Sequence, residues 1–186
     1  MKLGELLDAD WARLQFLSGT ASRRRSLTSC LSPRFAPVAL LRLAQVLHTG
    51  GWTRLAKVPS LLNFLLFGLE VPARLEIGKG LVLVHTQGTI LGAARIGANV
   101  TVYQQVTLGA RVADFAYRLE LRPVVEDGVT LTAGAKVLGA LTLHQGCTVG
   151  ANAVVLTDVP ANALAVGVPA RIVPSAGGET HPQSAL

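Results

Sequence analysis

The chain has 186 residues, half of them hydrophobic and only 15% charged, with 19 glycines. That balance excludes intrinsic disorder, and the length suits one domain with a substantial core. The net charge of +6 is lopsided, since residues 1–60 hold nine Lys/Arg against three Asp/Glu while residues 61–186 hold eight of each.

The opening residues do not read as a secretory signal, because Glu5, Asp8 and Asp10 stand where a basic segment belongs. Cys30 and Cys147 have neither CxxC nor disulfide-framework spacing. Both features point to the cytoplasm. Residues 2–17 repeat Leu3, Leu6, Leu7, Trp11, Leu14 and Leu17 at helical spacing, which predicts a first helix. Residues 18–37 read as a loop and contain the run Arg23-Arg24-Arg25. No aromatic residue interleaves that run, which argues against nucleic acid. It suits a solvated loop, or peripheral contact with an anionic membrane surface. A second helix is expected over residues 38–48, and a third over 53–67 with Pro59 as a kink or break. The apolar stretch 61–71 contains Asn63 and Glu70 and is too short to cross a bilayer.

From Val71 the texture changes. An aliphatic residue recurs every sixth position at Ile77 and Leu83, then, after one extra residue, at Ile90, Ile96, Val102 and Leu108. The period resumes at Val125, Leu131, Val137, Leu143, Val149 and Val155. Small or aliphatic residues follow most of these by four places, from Val100 to Val159. A six-residue period means a short strand and a corner, repeated, with the aliphatic side chains laddered inside a stacked coil. Gly80, Asn99, Gly128, Gly134, Gly146 and Asn152 fall at corners, where a left-handed backbone is needed. The expected organisation is therefore a helical segment 1–69, a parallel β-helix over 70–174 and a flexible tail 175–186. The aperiodic stretch 110–124 must protrude as a loop, and the extra residue near His85 must bulge a strand.

Residues 70–174 resemble the serine O-acetyltransferases among the hexapeptide-repeat acyltransferases. The resemblance rests on ValThrValTyrGlnGlnValThrLeuGly (100–109), ThrAlaGlyAlaLysValLeuGly (132–139) and GlyValProAlaArgIleVal (167–173). It implies a left-handed parallel β-helix, trimeric, with active sites in clefts between chains. It also implies acetyl transfer from acetyl-CoA, as donor, to the hydroxyl of a small acceptor, with no permanent cofactor and no metal. Such chemistry needs a base, and imidazole is suited to it near neutral pH. His85 falls at the place of the family's catalytic histidine, and Glu70 at that of the carboxylate orienting it.

The family's aspartate before that histidine is replaced by Val84, and its Arg-His-Pro by Leu121-Arg122-Pro123. Val84 and Arg122 are therefore the candidate acceptor-binding positions; Arg122 is equally readable as a loop arginine paired with Glu120. For coenzyme A the resemblance assigns Gly109, Ala133, Gly134, Gly150 and Ala151, with Lys136 and Arg171 nearby. Alternatives are O-acetylation of a sugar or polysaccharide precursor, and a non-catalytic trimeric scaffold. A zinc hydratase on the same coil would need three histidines, and only His85 and His144 lie in the repeats.

Overall fold

The computed structural model describes residues 2–21, 24–26 and 28–173. Arg23 and the expected tail from Ser175 lie outside them. The helices are α1 (Leu3–Leu17), α2 (Ala36–Thr49) and α3 (Thr53–Phe67). Helix α2 starts two residues before the expected 38, because Pro37 fits a first-turn position that needs no backbone N–H partner. Helix α3 continues through Pro59, where a kink or break was expected. The ring sits buried on the side packed against α2, and that burial offsets the lost intrahelical bond. Gly68 ends α3 in the left-handed conformation (φ +60°), its N–H donating to the Phe64 carbonyl at 3.1 Å.

The rest of the chain winds as a three-faced prism of two- and three-residue strands. Face A stacks β1 (Leu69–Glu70), β4 (Thr89–Leu91), β7 (Thr107–Gly109), β10 (Lys136–Leu138) and β13 (Val154–Val155). Face B stacks β2 (Glu76–Ile77), β5 (Arg95–Ile96), β8 (Val124–Val125) and β11 (Thr142–Leu143). Face C stacks β3 (Val82–Leu83), β6 (Thr101–Val102), β9 (Thr130–Leu131), β12 (Thr148–Val149) and β14 (Leu164–Val166), and closes with β15 (Arg171–Val173). All pairs are parallel except β14–β15. The interior is a continuous column in which Val102, Leu108, Val125, Leu131, Leu143 and Val149 have no exposed surface. One corner stack alternates glycine with an amide residue, Gly88, Gln105, Gly134 and Asn152, all at positive φ: the Asn152 side chain fills the space beside Gly134 (φ +74°), so a Cβ at 134 would meet both the strained backbone and that amide.

One member of the expected ladder is misplaced. Ile90 faces outward, 39% exposed, and Leu91 occupies the interior. The pairings explain this. Leu83 pairs with Val102, and Leu91 with Leu108, so the corner before β4 holds two more residues than the one stacked on it. The following corner, Gly92–Ala94, is one residue shorter than the matching corner two rungs up, residues 138–141, the long loop lying between them. The sequence period registers only the net excess of one.

The first coil has no rung beneath it, so its backbone groups need other partners. The helices supply them. Arg42, fully buried, donates to the Ile77 carbonyl at 2.8 Å and the Gly78 carbonyl at 2.6 Å. Gln45 donates to the Leu75 carbonyl at 2.5 Å, and the Asp10 carboxylate accepts the Leu81 N–H at 2.8 Å. Asp10 and Arg42 pair in a two-pronged contact at 2.8 and 3.0 Å, with neither side chain exposed. This cluster joins α1 and α2 to the coil and fixes where the coil starts.

Candidate active site

The five-residue corner 84–88 juts from the edge between faces C and A, where the next coil spans the same turn with residues 103–105. The extra length pushes His85 into solvent, while Val84 stays half-buried, its N–H held by the Val102 carbonyl at 2.9 Å. Glu70 pairs in register with Ile90, and both side chains face outward on face A beside the same corner. Gly88 donates to Gly68 at 3.0 Å, so the end of α3 and the start of β1 lie directly beneath the histidine's turn. Among the described residues, neither His85 nor Glu70 makes a side-chain hydrogen bond or ion pair within the single chain. The fold brings the two to one edge but does not join them.

Most of the residues assigned to coenzyme A continue along that edge. The ladder runs from Gln105 N–H to the Gln87 carbonyl (3.0 Å), from Gly134 to Gln104 (2.9 Å), and from Asn152 to Ala133 (2.9 Å). Ala133-Gly134 and Gly150-Ala151 thus stack above the histidine's corner at about 4.8 Å per rung. Lys136 opens β10 on the adjoining face, its ammonium donating to the Gln105 carbonyl. A Cβ at Gly109 would point into open space, so the coil itself does not demand glycine there. Gly134 differs, since the corner geometry accounts for it. Arg171 stands apart on β15, opposite Val166. Gln104, one rung above the bulge, has a buried side-chain oxygen with no hydrogen-bond partner among the described residues, a feature invisible in sequence.

Arg122 is elsewhere. The loop 110–124 leaves from the edge between faces A and B, and packs on that edge. Arg122 donates to the Gly92 carbonyl at 3.0 Å and to the Asp114 carboxylate at 3.0 Å, not to Glu120. Its guanidinium stacks on the Tyr117 ring at 3.6 Å, with Arg74 on the ring at 4.1 Å, and the Tyr117 hydroxyl donates to the Ala93 carbonyl at 2.9 Å. Thus Arg122 organises the loop, and its cation is already neutralised. Arg111 straps the loop upward by donating to the Leu138 carbonyl at 3.1 Å and to that of Leu156. A cleft of about 360 Å³ lies under the loop, between Arg74, Glu76, Arg95 and Tyr117, on a different edge from His85.

Burial would raise the Asp114 carboxyl's pKa, but hydrogen bonds from the Arg118 N–H, then from the Arg122 and Arg118 guanidiniums, outweigh it and hold it below its ordinary value. A depressed carboxyl stabilises above its unfolded-state pKa, about 4, and the gain is lost as pH falls through the lower folded value. Loop amides should therefore keep their hydrogen-exchange protection to about pH 4 and lose it below. Asp114→Asn should lose it already at neutral pH; unchanged protection in that variant would contradict the assignment. Burial pushes the Cys147 thiol up to about 12, as suits a residue of the inner column rather than a nucleophile. His144 contacts Glu126 at 3.3 Å on a half-exposed corner. No group of three metal-ligating side chains occurs among the described residues.

No family model matches the sequence. The chain is 40% identical over 124 residues to a serine acetyltransferase of Staphylococcus xylosus, covering 66% of this chain and 56% of that protein. Against a serine acetyltransferase of Helicobacter pylori it is 34% identical over 154 residues, covering 82% of this chain and 88% of that protein. The crystal structure of the Brucella abortus serine acetyltransferase matches the fold with a TM-score of 0.78 at 29% identity, covering 91% of this chain and 68% of that one. A serine acetyltransferase in complex with CoA matches at 0.77 and 28% identity, covering 91% and 68%. The Neisseria gonorrhoeae enzyme in complex with serine matches at 0.78 and 27% identity, covering 92% and 69%. The three-faced prism is thus the left-handed parallel β-helix of these enzymes. With a third of its aligned residues identical across most of a whole relative, the chain belongs to the serine acetyltransferase family of hexapeptide-repeat acyltransferases.

Proposed function

We propose that the chain transfers an acetyl group from acetyl-CoA to an acceptor hydroxyl, with His85 as base. The imidazole takes the hydroxyl proton as the oxygen attacks the thioester carbonyl. The tetrahedral oxyanion then collapses, the carbon–sulfur bond breaks, and CoA leaves as the thiolate that acquires a proton. Glu70, on the same edge, orients the imidazole once substrate closes the site. Val84 lines the acceptor side. The edge above, with Ala133-Gly134 and Gly150-Ala151, carries coenzyme A, reaching across face A to Lys136 and Gly109 and, on β15, to Arg171; the coil 70–174 is the catalytic unit. The observation that carries this reading is the oversized corner 84–88, which sets one histidine at the foot of a column of small residues.

The chain assembles as a homotrimer, in which the edge bearing His85 meets the loop-bearing edge of a neighbour. Serine is the acceptor that the relatives indicate. The engaged state of Arg122 and the neutral Val84 favour a second reading, a sugar hydroxyl, because the cation at the place of the family's Arg-His-Pro is already committed to Asp114 and Tyr117 rather than free for an α-carboxylate. Thiol release from acetyl-CoA, measured with serine and with a panel of neutral sugars, decides between them. Saturable, serine-dependent release establishes serine; release with sugars alone establishes a glycan acceptor; release with neither acceptor class refutes transfer to these hydroxyls. Peripheral contact with a membrane surface through the basic N-terminal segment belongs to the same reading, although Arg25 is already paired with Asp8 at 2.9 Å.

A further inference from the structure

Helix α3 inverts the usual arrangement of a surface helix. Its inner stripe, Ala56, Pro59 and Asn63, packs inward, with Asn63 donating to the Pro37 carbonyl at 3.0 Å. Its outer faces carry Leu55, Val58, Leu61, Phe64, Leu65 and Leu66, each more than half exposed, with Trp52 exposed at its start. Positions 58, 61 and 65 share the outermost stripe with Arg54, while Lys57 flanks it. A folded protein does not leave such a surface to water without a partner.

We propose that this outer face of α3 docks on an anionic lipid bilayer, with the helix lying in the interface plane. The occupant is argued from charge. Residues 11–69 contain eight Lys/Arg and not one Asp/Glu, an imbalance that repels a second copy of the same surface and attracts anionic headgroups. Exposed Arg54 and Lys57 at the N-terminal end, beside Trp52 and the leucine face, match the composition of helices that lie at a membrane interface. The helix is too short to cross, and no helix among the described residues is long and apolar enough to do so. The geometry gives the docking a use. Helix α3 ends at Gly68, which bonds the corner carrying His85, so a docked helix holds that corner near the headgroup layer, within reach of a hydroxyl on a membrane-anchored acceptor. The docking itself stands independently of the acetyl-transfer reading.

The test is co-sedimentation of the full chain with phosphatidylcholine vesicles, with and without phosphatidylglycerol. Binding is expected to the anionic vesicles and to weaken with salt. The variant Leu61→Gln/Leu65→Gln should lower vesicle affinity by about ten-fold or more per residue. Arg54→Gln/Lys57→Gln should lower it about five-fold per charge, on anionic vesicles only. Acetyl-CoA turnover in vesicle-free solution and the solution mass of both variants should match the unaltered protein. Absence of vesicle binding by the unaltered chain overturns the proposal. So does a fall in solution mass for the leucine variant, which would make the face a contact between copies.

Discussion

Replacing His85 with alanine is expected to lower the kcat of acetyl transfer by roughly 10²–10⁴-fold, the range for loss of a positioned general base. The KM for acetyl-CoA should change little, because the small residues proposed to receive it, Ala133-Gly134 and Gly150-Ala151, lie two and three rungs up the same edge. Loss in kcat without loss of donor binding separates proton transfer from a structural role for the side chain. Folding should be untouched, since His85 is exposed and makes no side-chain hydrogen bond among the described residues. Glu70→Gln should have a smaller effect of the same kind, because an orienting group acts only through the imidazole. Steady-state thiol release with each variant is the measurement, and an alanine variant with undiminished kcat would remove His85 from the reaction.

The other large effect is on stability. Asp10→Ala should cost about 3–5 kcal/mol, because it strands the buried Arg42 cation and leaves the Leu81 N–H without a partner. A buried ion pair can often be exchanged for apolar residues at little cost. Here that exchange should fail. Asp10→Leu/Arg42→Met would restore packing, yet the buried Ile77 carbonyl would be left unpaired at about 1–3 kcal/mol, and the part-buried Gly78 carbonyl would lose its partner as well. Urea unfolding at fixed protein concentration reports both variants. A cost below about 1 kcal/mol for Asp10→Ala would show that the coil does not depend on this clamp.

The coil was legible because its cause is local and repeated. Eleven of the twelve six-residue aliphatics point inward, and each corner glycine or asparagine named from sequence has a positive φ. Ile90 was misread because a period counts only net spacing. An excess of two residues and a deficit of one look like a single extra residue, and the frame between them slips by one. The clamp was illegible for a different reason. Asp10 and Arg42 lie 32 residues apart on amphipathic helices, and a charge is normally taken for a solvated one until packing shows otherwise. Arg122 presents a similar problem. Its partner, Asp114, is eight residues upstream across a loop with no period, whereas Glu120 is nearer in sequence. The histidine's turn was found because its irregularity interrupts a regular background.

The two ends of the coil have a consequence for assembly. Below, Asp10, Arg42 and Gln45 occupy the Leu75, Ile77 and Gly78 carbonyls and the Leu81 N–H of the first turn. Above, residues 157–166 add a last partial rung, and residues 167–173 fold back over it, Gly167 and Ala170 pairing with Val154 and β15 running antiparallel at the margin. A stack of open rungs would otherwise be a template on which another molecule could continue the ladder into a fibre. With the described ends occupied in this way, end-to-end continuation of the ladder is disfavoured, and the homotrimer proposed above joins flank to flank, one of those flanks carrying the histidine.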